Sequence, residues 1–105
     1  MTSAQGEKPK LTLRLYVVSG APNSNAARAN LASILSALDA NEYALEFVDC
    51  SAEPRRALAE GVLVTPTLIK SAPDPTQTII GSLSDRAGVL AALGLRANGV
   101  KTADA

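Results

Sequence analysis

Two runs of β-forming residues, LTLRLYVV (11–18) and YALEFVD (43–49), stand on either side of one amphipathic stretch. That spacing constrains the chain more than any other feature. Strands joined through a helix need a crossover of a dozen or more residues, and such a connection makes them parallel in one sheet. The first run alternates Leu11, Leu13 and Leu15 and then turns continuously apolar. This is the pattern of a central strand covered on both faces at its end. In the second run, Leu45 and Phe47 share a face. Between the runs, Ala27, Leu31, Ile34, Leu35 and Leu38 fall on one helical face, which predicts a helix over 24–39. Ser24 or Asn23 is expected to cap it, because a short side-chain oxygen accepts a bond from a free backbone N–H.

The second half carries shorter elements. SAEPRRALAEG (51–61) reads as a short helix, with Ser51 ahead of it, Pro54 in its first turn and Gly61 just past its end. TPTLIK (65–70) reads as a third strand and APDPTQ (72–77) as a turn. TIIGSL (78–83) reads as a fourth strand, antiparallel to the third. SDRAGVLAALGL (84–95) reads as a terminal helix capped by Ser84. The fold class is thus α/β, in the order β-α-β-α-β-β-α. That order, with Thr-Pro leading into the third strand, is the thioredoxin-like pattern. The dipeptide raises the expectation of a cis bond before Pro66, but the base rate of about 5–6% for X–Pro leaves trans as the default. One domain over 11–96 is expected, between a flexible polar segment 1–10 and a flexible tail 97–105.

Composition narrows the function. Lys plus Arg equals Asp plus Glu, ten each, so no bulk positive field draws in nucleic acid or an anionic membrane. Aromatics are few (two Tyr, one Phe), which removes the stacking platforms of single-strand binders. There is no histidine, and with it go His-based acid/base catalysis and the commonest metal ligand. Asp49, Glu53 and Glu60 read as solvated charges rather than a metal cluster. Gly20, Asn23 and Ser24 sit where backbone N–H groups hold anions, but without a Walker lysine or a G-x-G-x-x-G they read as an ordinary helix start. The single Cys50 follows Asp49, and a carboxylate works against the thiolate that a redox or nucleophilic cysteine needs. Arg55-Arg56 reads as solvated surface or as a contact for an acidic partner. The first ten residues hold no apolar signal core and no stretch reaches the ~20 apolar residues of a membrane span, so a cytoplasmic, non-enzymatic binding module without cofactor or metal is expected.

Three stretches carry a resemblance: LRLYVVSGAPNS (13–24), VTPTLIK (64–70) and IIGSLSDRAGVLAALGL (79–95). Together they resemble the KaiB family of the Kai timing system, over roughly residues 11–95. The resemblance implies a regulator that binds the ATPase ring of KaiC-type proteins, displaces a sensor histidine kinase and sequesters KaiA. It implies two folds: a self-associating dimeric or tetrameric ground form, in which the second half is rebuilt, and a thioredoxin-like monomer. It places partner binding at Ala44, Glu46 and Lys70, where Ala44 and Lys70 match the family and Glu46 replaces a lysine. It places the fold switch at Pro66, Pro73, Pro75, Gly81, Ala92 and Gly94. Slow prolyl isomerisation suits a gating role for those prolines. Interior glycines such as Gly88 and Gly94 weaken the terminal helix by about 1 kcal/mol each relative to Ala. Ala92 and Gly94 stand where the family has Gly and Asp, so the free protein is expected to favour the thioredoxin-like form. Two alternatives stand beside this reading: a thioredoxin-like redox protein using Cys50, and a stand-alone KaiB-like sensor domain that binds a histidine kinase.

Overall fold

The structure, a computed structural model, describes residues 10–96. The segments expected to be flexible at either end lie, apart from Lys10, outside the described residues. The elements run β1 (Leu11–Val17), α1 (Pro22–Leu35), a 3-10 turn (Ala40–Glu42), β2 (Tyr43–Asp49), α2 (Pro54–Ala59), β3 (Thr67–Ala72), β4 (Gln77–Ile80) and α3 (Arg86–Leu93). The sheet order is β2-β1-β3-β4, with β1 parallel to β2 and β3 antiparallel to both β1 and β4. The predicted order holds throughout. β3 and β4 have moved from the expected spans, because the backbone pairs Lys70 with Gln77 and carries the hairpin nearer to its two prolines.

The alternation of β1 separates two cores. Leu11, Leu13, Leu15 and Val17 join Ala27, Leu31, Ile34 and Leu35 of α1, Leu68 of β3, and Val89, Leu90 and Leu93 of α3. Tyr16 points the other way and meets Val48, Ala57, Val62 and Ile69 beneath α2. Leu45 packs against the larger core. Phe47 shares its face but is 43% exposed, and the Arg28 guanidinium lies 4.4 Å from its ring centroid. Burying aliphatic side chains contributes roughly 25 cal/mol per Å² removed from water, so the larger cluster supplies most of the driving force.

Helix ends differ from expectation in instructive ways. Neither Asn23 nor Ser24 caps α1: the cap position is Ala21, without a side-chain bond, and Pro22 occupies the first turn. Ser24 is buried, and its hydroxyl instead accepts a bond from the Val18 N–H at 3.1 Å. A buried hydroxyl needs a partner, and the strand-end amide supplies one. The helix also stops at Leu35, short of the predicted 39. Leu38 N–H closes on Leu35 C=O, and Asp39 with Glu42 starts a separate turn by a capping box. α3 is capped by Asp85 rather than Ser84: the Asp85 carboxylate accepts from Gly88 N–H at 3.1 Å.

Candidate functional site

The face of the sheet beneath α2 gathers most of the charged pairs. Arg14 is opposite Glu46 in the β1–β2 register, so both project on the side of Tyr16 and Val48. The parallel pairing thus presents two opposite charges to a helix of only six residues. Arg14 donates through Nε and Nη2 to Glu60 Oε1, at 3.2 and 2.6 Å, tying β1 to the residue that ends α2. Arg56 forks onto the Glu46 carboxylate, with one arm at 2.7 Å, and reaches Glu53 at 3.5 Å. The hydrogen bond from Arg56 holds the Glu46 carboxyl below its ordinary value, and that from Arg14 does the same for Glu60. Such exposed pairs orient side chains more than they stabilise the fold. Arg55, next in sequence, is exposed and has no ion-pair partner among the described residues.

Ala44 and Glu46 are exposed and lie on this face of β2. Lys70 does not join them. It is opposite Leu13 in the register, on the α1–α3 side, and is only 4% exposed. The structure therefore places Lys70 on the opposite face of the sheet from Ala44 and Glu46. Sequence reasoning also missed the exposed aliphatics. Leu58, Leu63 and Val64 are 69%, 87% and 50% exposed, and Ile80 is 66% exposed. An apolar run before a strand reads as core, and only the chain path shows that Val62 and Pro66 take the inward positions.

At the C-terminal ends of β1 and β2, Asp49 accepts bonds from Ser51 Oγ at 2.6 Å, Ser51 N–H at 2.9 Å and Ser19 Oγ at 2.9 Å. These bonds, those from Ser51 foremost, hold its carboxyl below the usual range. Cys50 follows, half-buried against the smaller core. Burial pushes its thiol up, and the neighbouring Asp49 charge adds to the effect. A protonated thiol is a poor nucleophile. The setting works against the redox alternative. Glu53 and Glu60 are engaged by arginines, and among the described residues no three His, Cys, Asp or Glu side chains are placed to hold a metal. No helix among the described residues is long and apolar enough to cross a membrane.

The residues assigned to a fold switch are spread over the second half. Pro66 is buried at the entrance to β3, while Pro73 and Pro75 sit in the exposed β3–β4 turn. The Thr65–Pro66 bond is cis, against the trans default, and so are Ala72–Pro73 and Asp74–Pro75. Gly81 ends β4 with φ +112°, and its N–H donates to Pro66 C=O at 3.0 Å. Ala92 lies within α3. Gly94 terminates it with φ +76°, so it is a stop signal rather than an interior weakness.

Comparison with known proteins agrees with this geometry. The model of the KaiB domain matches residues 14–95. The circadian clock protein KaiB3 of Synechocystis sp. is 37% identical over 92 residues, 88% of this chain and 90% of that one. The circadian clock oscillator protein KaiB of Prochlorococcus marinus is 45% identical over 83 residues, 79% of this chain and 70% of that one. Among solved structures, the N-terminal domain of Synechococcus elongatus SasA superposes with a TM-score of 0.69 at 26% identity, covering 87% of this chain and 88% of that domain. Mitochondrial thioredoxin 3 of Saccharomyces cerevisiae superposes at 0.65 with 15% identity, covering 80% and 77%, a likeness of fold alone. The fold is therefore thioredoxin-like, and the chain belongs to the KaiB family.

Proposed function

We propose that this protein is a non-enzymatic regulator that binds a KaiC-type ATPase ring in a circadian, timing or stress system, docking through the α2 face. The observation that carries the reading is the match of the KaiB domain to nearly all described residues, with clock proteins as relatives. Exposed Ala44 and the Arg56-held Glu46 give the face its docking residues. Displacement of a sensor histidine kinase and capture of KaiA would follow from the same exposed strand and helix. The test is ATP-dependent co-elution with a purified KaiC-type ring. Binding that weakens about tenfold, or 1.4 kcal/mol, in Ala44→Arg is the expected result. Co-elution absent with either nucleotide overturns the reading.

The proposal includes the fold switch, with a self-associating ground form whose second half is rebuilt. Two features support a balance tilted toward the thioredoxin-like form. Ala92 favours a helix by about 1 kcal/mol over Gly. Gly94 adopts its left-handed φ without the penalty of roughly 1–2 kcal/mol that a side chain brings. NMR resonances that place 84–95 in a strand in the free protein would overturn this tilt. The likeness to the SasA domain favours one second reading, a stand-alone sensor-type domain that binds a histidine kinase. A pull-down with defined kinase and ring baits separates the two.

A further inference from the structure

One backbone angle among the described residues is out of keeping with its side chain. Leu83 has φ +64°, and every other positive φ there belongs to a glycine. The left-handed region drives Cβ toward the following carbonyl oxygen, so a leucine enters it only when its surroundings hold it there. Two holds are present. The side chain is 4% exposed and belongs to the larger core, together with Val89 and Leu90 of α3. On the other side of the residue, Asn30 Nδ2 of α1 donates to Ser82 C=O at 2.8 Å. That carbonyl and the Leu83 N–H share one rigid peptide plane. Fixing the plane to α1 while the side chain is anchored in the core therefore fixes φ between them. Arg86, at the start of α3, reaches Ser33 Oγ, one turn along α1 from Asn30, at 3.4 Å.

The loop is not packed on all sides. Gly81, with φ +112°, stands two residues before Leu83. An open cleft of about 510 Å³ is lined by Gly81, Ser82, Leu83, Ser84, Asp85 and Val89 among others, which leaves the backbone room to change. The helix beyond is eight residues long and buries Val89, Leu90 and Leu93. Its first turn is closed locally, where the Asp85 carboxylate accepts from Gly88 N–H, so the cap travels with the helix. When α3 lifts away, Leu83 leaves the core and its backbone relaxes, and the strain released offsets part of the cost of opening. We propose that 81–85 is a strained hinge through which α3 leaves the sheet as a unit, with the Asn30 amide as its latch. The closed form then exchanges with one in which α3 is detached and its apolar face bare. The inference goes beyond ring binding, and it needs no rebuilt second half.

Native-state hydrogen exchange of the full chain, followed amide by amide by NMR, tests this. The amides of 89–93 are expected to exchange through an opening less sensitive to urea than that of β1. Asn30→Ala is expected to speed the 89–93 amides about tenfold and to leave those of β1 unchanged. A change spread evenly over the chain, or none, would overturn the proposal. The strain has a signature of its own. Leu83→Ala and Leu83→Gly both remove the buried side chain, but only glycine adopts the left-handed φ without penalty. The glycine variant is therefore expected to protect the 89–93 amides about tenfold better than the alanine variant, the reverse of the order at an unstrained position. Equal protection, or better protection by alanine, refutes the hinge. Where both Leu83 variants unfold, the Asn30→Ala measurement decides alone. Absence of ring co-elution removes the proposed function and leaves the hinge to be judged by these exchange rates.

Discussion

At the scale of single residues, two buried or half-buried polar groups have consequences that can be measured. The Tyr16 hydroxyl is fully buried and has no hydrogen-bond partner, although it lies close enough to Arg14 and Glu60 to feel both charges. An unsatisfied buried hydroxyl costs about 1–3 kcal/mol. Tyr16→Phe is therefore expected to raise the unfolding free energy by about 1 kcal/mol, read from urea midpoints at unchanged m-value. Cys50 behaves in the opposite sense to a redox thiol. With its ionisation pushed above the ordinary 9.0 by burial and by Asp49, its alkylation is expected to be slow at neutral pH and to be still climbing with pH beyond pH 9. Rapid alkylation at pH 7 would restore the redox alternative. The Asp49–Cys50 adjacency made this legible in the sequence. The Tyr16 orphan was not, because a tyrosine at the end of an apolar strand shows nothing of where its hydroxyl ends.

At the scale of elements, strands were easier to read than helix ends. The 2-residue alternation of β1 is a property of the local sequence, and the pairing preserves it. Caps depend on which side chain the backbone brings within reach, and there Ser84 lost to Asp85 and Ser24 was drawn to the strand. α3 shows the coupling. A Cβ at Gly88 would stand 2.5 Å from Asp85 Oδ2, so the cap and a larger residue at 88 compete for one space. Gly88→Ala gains about 1 kcal/mol of helix propensity and loses a cap contributing about the same, so its net effect is near zero. In an Asp85→Ala background the same substitution is expected to stabilise by about 1 kcal/mol. A double-mutant cycle by thermal unfolding gives the coupling, and additive effects would refute it. At the far end, Ala92→Gly combined with Gly94→Asp is expected to destabilise α3 by roughly 2 kcal/mol, seen as faster amide exchange over 86–93.

At the scale of the whole molecule, the strand order was legible, while the grouping of the candidate residues on the faces of the sheet was less so. Ala44 and Glu46 came together because neighbours two apart on a strand share a face. Lys70 stands on the other face because its register against β1 fixes it there, which no local pattern reveals. The charged face also sets an acid response. The folded Glu60 ionises below its ordinary value of 4.5 because Arg14 donates to it. Its contribution is therefore fully present above about pH 4.5 and is lost as the pH falls through the folded value. Glu60→Gln is expected to flatten the fall of thermal stability between neutral pH and pH 3, and an unchanged slope would show the pair to be inert. The two cores divide the molecule unequally around one sheet, with α1 and α3 filling one side and a six-residue α2 thinly covering the other. The exposed positions on the α2 side touch neither core, so that side of the molecule is free to diverge on a constant scaffold.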